Sequence, residues 1–174
     1  MARTCEPQRG LTFDDVWAAL MELRESQKKT DRQIGRLGSR LGDLIEHLTA
    51  SNIIEKFKEL NYEFNHISRN HKLKGPDNRI LAEIDILLEN GDYAMVVEVK
   101  SLLTLTDVKE HMKRLETLRR YADIHNDRRK YISSVSGALI EENARDFALD
   151  QGIYVLEHPG DTLQILSPEK VRIW

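Results

Sequence analysis

The chain has one cysteine, Cys5, among 174 residues, so neither a disulfide framework nor a cysteine-based zinc site can be built. That usage fits a reducing compartment. No apolar run approaches the ~18–20 residues that a membrane-spanning helix needs. No apolar signal core opens the sequence, and a cytoplasmic protein with no membrane partner is expected. Nor is there a large excess of either charge: 26 basic side chains stand against 29 acidic ones. This excludes a wholly basic nucleic-acid coat protein. Residues 101–130 are the one locally basic stretch, with 8 basic side chains against 5 acidic. Prolines are few and aromatics make up only 6% of the chain.

What the sequence has is periodicity. From Phe13 the residues Val16, Leu20, Leu23, Gln27, Thr30, Ile34, Leu37, Leu41, Leu44 and Leu48 follow at alternating steps of three and four. This is the seam of a coiled coil. It predicts a helix about 50 Å long that cannot bury its own stripe, and self-association as a homo-oligomer is expected. Gln27 and Thr30 weaken the middle of the seam and can fix register. Gly35, Gly38 and Gly42 lie off the seam on one flank. They read either as a close approach of another backbone or as a weak, bent stretch. Residues 1–10 read as unstructured, with Thr12 or Asp14 opening the helix.

Beyond the seam, Asn52 and Glu55 resemble a cap pair that starts a second helix, Ile53 to Leu60. Asn61 ends it in left-handed geometry. A strand is expected over Tyr62–Ile67, a turn at Gly75-Pro76-Asp77-Asn78, and two strands over Arg79–Leu88 and Tyr93–Val99. A helix over Asp107–His125, capped by Thr106 or Asp107, comes next. It buries Val108, Met112, Leu115, Leu118, Tyr121 and Ala122, and shows Lys109, Lys113 and Arg120 on another face with Arg114 nearby. That basic face reads as solvated surface or as phosphate contact. A strand over Arg129–Ser136, a turn at Gly137, a helix over Leu139–Gln151 closed by Gly152, and a strand over Ile153–Leu156 follow. After a turn at Pro159-Gly160-Asp161, Leu163–Leu166 and Val171–Trp174 are candidate edge pieces. The order predicts a mixed α/β sheet flanked by helices. Residues 1–42 form the arm and residues 43–174 the domain.

The chemistry concentrates between Leu81 and Ser101. Asn90-Gly91 is the signature of a two-residue type I′ hairpin. With that loop, Leu88 faces Tyr93, Ile86 faces Met95 and Ile84 faces Val97, all apolar. Strand alternation sends Asp85, Glu98 and Lys100 to the other face, with Asp85 and Glu98 as diagonal neighbours and Glu83 directly opposite Glu98. Leu87, Ala94 and Val96 share that face, so these acids are partly buried. Buried charges are rarely left unpaired, and carboxylate oxygens suit Mg²⁺ or Mn²⁺. The acids therefore read either as a metal or acid–base site or as ordinary solvated residues. His111, one turn into the next helix, reads as a packing residue or a neighbour of the site, and His66 and His71 lie near a polar loop. No histidine pair has metal-ligand spacing.

Glu83-Ile84-Asp85, twelve residues, then Glu98-Val99-Lys100, in an α-β-β-β-α-β order, resembles the PD-(D/E)xK nuclease superfamily. This group includes restriction endonucleases, Holliday-junction resolvases and RecB-type exonuclease domains. The resemblance covers about residues 43–158, with Ile84 where the family often has proline. The heptad arm feeding Gly42-Asp43-Leu44-Ile45-Glu46-His47-Leu48 is similar to a group of uncharacterised bacterial coiled-coil proteins with such a domain. The resemblance implies a restriction-endonuclease-like fold and a Mg²⁺- or Mn²⁺-dependent nuclease acting on nucleic acid, DNA first. It implies Asp85 as central metal ligand, Glu98 as second, and the Val99 carbonyl facing the metal. Lys100 would position water or stabilise charge on the phosphate. For the family's first-helix glutamate, Glu46 is preferred to Glu55, because the Gly42-to-Glu46 spacing matches. The alternative is a non-catalytic interaction or nucleic-acid-binding module on the same fold.

Overall fold

Thr49-Ala50-Ser51-Asn52 does not interrupt the helix that precedes it. In the computed structural model, α1 is one helix, Phe13–Lys58. The structure describes residues 13–159 and 162–174, without the side chains of residues 13–16, 18, 19, 37 and 39. The unstructured 1–10 segment, the Thr12 cap and the Gly160-Asp161 turn lie outside the described residues. The expected break is corrected for a simple reason: none of the four residues is Pro or Gly. The Ser51 hydroxyl donates back to the Leu48 carbonyl at 2.9 Å, which a helix tolerates, and Thr49 uses its hydroxyl in tertiary bonds. Glu55 is therefore an exposed residue in the last turn of α1 and starts no second helix. Asn61 does take the left-handed conformation beyond the helix, at φ 65°.

The chain divides into two compact units, 1–40 and 41–174. In the first, seam residues Leu20, Leu23 and Ile34 are exposed. A side chain added at Gly35 or Gly38 would meet no described atom within 4 Å.

The second unit is a six-stranded mixed sheet in the order β1-β2-β3-β4-β5-β6. The strands are β1 His66–Lys74, β2 Ile80–Glu89, β3 Tyr93–Leu103, β4 Lys130–Ile140, β5 Tyr154–Glu157 and β6 Gln164–Leu166. β3, β4 and β5 run parallel and the outer pairings are antiparallel. Ile45, Ile53 and Phe57 of α1 pack one sheet face with Ile86, Leu88, Met95 and Val97. The other face is covered by α2, Leu105–Ile124, through Leu115 and Leu118, and by α3, Glu142–Asp150, through Ala144 and Ala148.

Several boundaries differ from expectation. β1 starts later and runs through the polar stretch Arg69–Lys74, because a sheet-edge strand paired only to β2 can be polar and exposed. The Gly75–Asn78 turn then closes by Asn78 N–H to Gly75 O at 3.0 Å. The β2–β3 loop is not type I′, since neither Asn90 nor Gly91 has positive φ. Instead the Asn90 side-chain oxygen accepts from the N–H groups of Asp92 (2.9 Å) and Tyr93 (2.7 Å), an Asx turn. The register slides by two: Ile86 pairs with Val97 and Leu88 with Met95, and the last pair before the loop is Glu89 with Ala94. Sliding by two keeps the side chains of the paired residues Ile86–Glu89 on their expected faces.

Gly137 is not a turn. β4 continues through it, and Gly137 pairs with Lys100. A Cβ there would lie 2.7 Å from the Leu139 carbonyl oxygen and 3.2 Å from Leu103 Cβ, so glycine serves close packing inside the strand. Leu139 and Ile140 thus belong to β4, and α3 starts only at Glu142. Gly152 takes φ 76° beyond α3, as its place after the helix predicts. Val171–Trp174 forms no strand, although Trp174 N–H donates to the Tyr131 carbonyl at 2.9 Å.

Candidate active site

The β1–β2 pair changes sheet face at one point. Ile86 and Leu88 belong to the α1-side cluster, whereas Ile84 and Ala82 belong to the α2-side cluster, although all four share one strand parity. Ile67 and Leu73 of β1 divide in the same way. The expected grouping of Ile84 with Ile86 is corrected accordingly. Asn70, at φ 52°, and Asp85 sit at the pivot: Arg69 pairs with Ile86 and His71 with Ile84, and neither pivot residue has a partner in the ladder. The β2–β3 ladder also ends there, at Ile86 and Val97. Released from the ladder, Val99 N–H donates to Asp85 Oδ2 at 2.7 Å. Val99 thus meets Asp85 through its amide N–H.

Glu98 lies next along β3, with 3% of its surface exposed, and faces α2. Thr104 starts that helix with a reciprocal cap, its hydroxyl accepting from Asp107 N–H while Asp107 accepts from Thr104 N–H. The cap lies two residues before Thr106, the nearer of the two expected caps. The helix then brings His111 and Arg114, one turn apart, to Glu98. Arg114 Nη2 is 2.5 Å from Glu98 Oε2, Lys100 Nζ is 2.7 Å from Oε1, and His111 Nδ1 is 3.6 Å from Oε2, beyond hydrogen-bond range. His111 is buried and its Nε2 is anchored 2.7 Å from the Ser133 hydroxyl.

These surroundings separate the two acids. Burial would raise the Glu98 carboxyl, but His111, Lys100 and Arg114 outweigh it and hold the group down to about 2. The Asp85 carboxyl is raised, first by burial and then by the negative charge of Glu98, with Val99 N–H and Lys100 opposing and Glu46 adding to the rise. Lys100 is raised despite its burial, because Glu98 and Asp85 hold its proton. Glu46 is raised by burial and by Asp43, against Arg69, and accepts from the Asn70 amide at 3.3 Å. The pivot residue Asn70 thereby ties Glu46 to the strand pair that carries Asp85.

Asp85, Glu98 and Lys100 therefore come together, with Glu46 within electrostatic reach, while Glu55 is not part of the group. Glu83 does not face Glu98; it pairs with Lys72 at 3.0 Å on the exposed hairpin. His66 and His71 are exposed and stand apart. Lys109, Lys113 and Arg120 are exposed, and Lys109 lies 5.6 Å over the Phe147 ring. Arg114 is the residue that sequence reasoning undervalued. Its three-residue spacing from His111, and one-residue spacing from buried Leu115, was the available signal. A second polar cluster was not foreseen. Thr49 Oγ1 lies 3.1 Å from Ser136 Oγ and 3.0 Å from His158 Nε2, and burial lowers the His158 pKa.

The donor chemistry suits a hard divalent cation, since Asp85 and Glu98 offer carboxylate oxygens and their repulsion is what such an ion relieves. Among the described residues, no group of three or more His, Cys, Asp or Glu is close enough to hold one without movement.

No family model matches the chain, and a search of curated proteins finds no match. Two solved structures are similar. One is a repair endonuclease from Pyrococcus abyssi, at 15% identity and a TM-score of 0.46, covering 71% of this chain and 47% of that one. The chain thus spans about half of that protein's length. The other is the small subunit, R.BspD6I2, of the heterodimeric restriction endonuclease R.BspD6I, at 12% identity and a TM-score of 0.34, covering 68% and 72%.

Proposed function

We propose that the second unit is a metal-dependent phosphodiesterase acting on nucleic acid, with DNA as first substrate, on a restriction-endonuclease-like fold. The observation that carries this reading is the opposed pair of acids beside one lysine. Glu98 is held ionised while its charge raises Asp85, and Lys100 Nζ lies 2.7 Å from Glu98. The spacing Asp85…Glu98-Val99-Lys100 resembles the PD-(D/E)xK motif and adds to that reading. Asp85, Glu98 and the Val99 carbonyl would hold Mg²⁺ or Mn²⁺, with Glu46 beside them. When bound, the ion supplies Lewis-acid polarisation of the phosphoryl oxygen and a more acidic water. The protein's own part is electrostatic. Lys100 keeps its proton, so an ammonium stands where negative charge grows on the phosphate. Arg114 and His111 fix Glu98 in place from the side of α2.

The test is cleavage of plasmid, single-stranded DNA and RNA across a titration of Mg²⁺ and Mn²⁺. Metal-dependent cleavage that falls about 10²–10³-fold in Lys100→Ala is expected, the range for loss of one group stabilising developing charge. No cleavage of any substrate, or full cleavage by Lys100→Ala, rejects the assignment.

One observation favours a second reading, a non-catalytic nucleic-acid-binding or interaction module. Both Glu98 oxygens already face cations, Lys100 and Arg114. On that reading the cluster is a structural ion network, and binding persists in chelator.

A further inference from the structure

The heptad arm of residues 13–44 carries seam residues that its own unit leaves exposed: Leu20 is 52%, Leu23 64% and Ile34 61% exposed. The positions beside the seam say what covers them. In heptad letters, Trp17, Arg24, Asp31 and Gly38 occupy e, while Ala19, Ser26, Gln33 and Arg40 occupy g. We infer that the arm pairs with the arm of a second copy as an antiparallel two-stranded coiled coil, in the register that sets Gln27 against Thr30 of the partner. This inference is independent of the chemistry proposed for the second unit.

Three features select that arrangement. First, in an antiparallel coil a positions face d positions, so Gln27 and Thr30 form two adjacent polar layers at the centre. Sliding either helix by one heptad sets Gln27 against Leu23 or Leu37, and Thr30 against Leu20 or Ile34, which buries polar groups against apolar ones. Second, e positions then meet e positions. Arg24 meets Asp31 of the partner, and the two-fold axis makes that ion pair twice. Third, the same row sets Trp17 over Gly38 of the partner. A Cβ at Gly38 has no described atom within 4 Å, so the glycine leaves room for an indole.

A parallel coil offers none of the flanking matches. Its g-to-e contacts are Ala19 with Arg24, Ser26 with Asp31, Gln33 with Gly38 and Arg40 with Ile45. None is an opposite-charge pair, and Ile45 is already buried in the core of the second unit. The antiparallel register also ends where it should. Its outermost layers pair Phe13 with Leu44 of the partner, one residue before Ile45.

The test uses the full chain. Light scattering is expected to give about twice the 20.2 kDa mass of one chain. A nitroxide at Arg40→Cys, in a Cys5→Ser background that removes the only thiol, reads the orientation by pulsed dipolar spectroscopy. Antiparallel pairing separates the two labels by about 35 Å along the axis at 1.5 Å per residue. Parallel pairing brings them within about 10–20 Å, given interaxial spacings near 8–10 Å. Arg24→Asp alone should weaken the dimer about tenfold or more, and adding Asp31→Arg to the same chain should restore it. Neither change touches a charge pair in the parallel coil. A monomer, a larger oligomer, the short spin separation, or a double charge swap that fails to rescue would each overturn the proposal.

Discussion

Asp85 sits in an environment built against its own charge. Its carboxyl is raised by burial and by Glu98, so this group favours the fold in its protonated form. That contribution is complete below the ordinary value of 3.8 and is lost as pH rises through the higher folded value. At neutral pH the ionised group works against folding. Asp85→Asn keeps an acceptor for Val99 N–H and removes the charge. In chelator at pH 7 it should melt a few degrees above wild type, on the order of 2–4 °C per kcal/mol relieved, with the gain fading near pH 3–4. Glu98 has the opposite sign. Its carboxyl is held down to about 2 from 4.5, so its contribution is present above 4.5 and lost as pH falls toward about 2. Glu98→Gln should therefore lower the melting temperature at pH 7, leaving Lys100 and Arg114 without their common acid. Calorimetry of both variants from pH 3 to 8 checks the pair, and melting shifts of the same sign would contradict this account. The proximity of Asp85, Glu98 and Lys100 was legible in the sequence because strand parity survives a register slip of two. Arg114 was not, because helix periodicity ranks apolar residues and says nothing about a cation aimed at a buried acid. Glu83 was misplaced because its partner, Lys72, lies in a stretch too polar to read as a strand.

At the scale of elements, β4 holds the greatest departure from expectation. A glycine between a strand pattern and an apolar run reads as a turn, yet Gly137 lies within a parallel ladder beside Lys100. Its reason is steric and comes from Leu103 and Leu139, which no local pattern reveals. Gly137→Ala puts a methyl 2.7 Å from a backbone oxygen that cannot move aside without breaking the strand. A loss of about 1–3 kcal/mol is expected, the range for overpacking, measured by urea denaturation with unchanged m-value. Because Gly137 pairs with Lys100, the substitution should also weaken any metal-dependent cleavage beyond what its stability cost explains. Wild-type stability in Gly137→Ala would show that the strand has slack there. The helix boundary at Thr49–Asn52 failed for a related reason: Ser, Thr and Asn are ambiguous between cap and helix interior, and tertiary bonds from Thr49 to Ser136 and His158 decide it. Asn90 shows the converse. The residue type that signals a turn was right, while the mechanism was its side-chain oxygen rather than a left-handed backbone.

For the whole molecule, the sequence changes period from heptads to alternating strands, and the structure divides into units at 1–40 and 41–174. The two differ in what holds them together. The second has buried clusters on both faces of a six-stranded sheet. In the first, Leu20, Leu23 and Ile34 remain exposed on a helix with Gly35 and Gly38 in it, each glycine costing about 1 kcal/mol against alanine. An isolated helix of that composition has too little local propensity to stand alone in water. On the antiparallel pairing proposed above, its stability comes from association and follows mass action, whereas that of the second unit does not. Thermal melting followed by circular dichroism at 222 nm should accordingly resolve two transitions. The earlier one, carrying the helical signal of the arm, should move upward with protein concentration. The later one, followed by near-ultraviolet signals of the tyrosines packed around Phe57, should stay fixed. Single Arg24→Asp should lower only the first. A single transition independent of concentration would mean that the arm draws its stability from within its own chain.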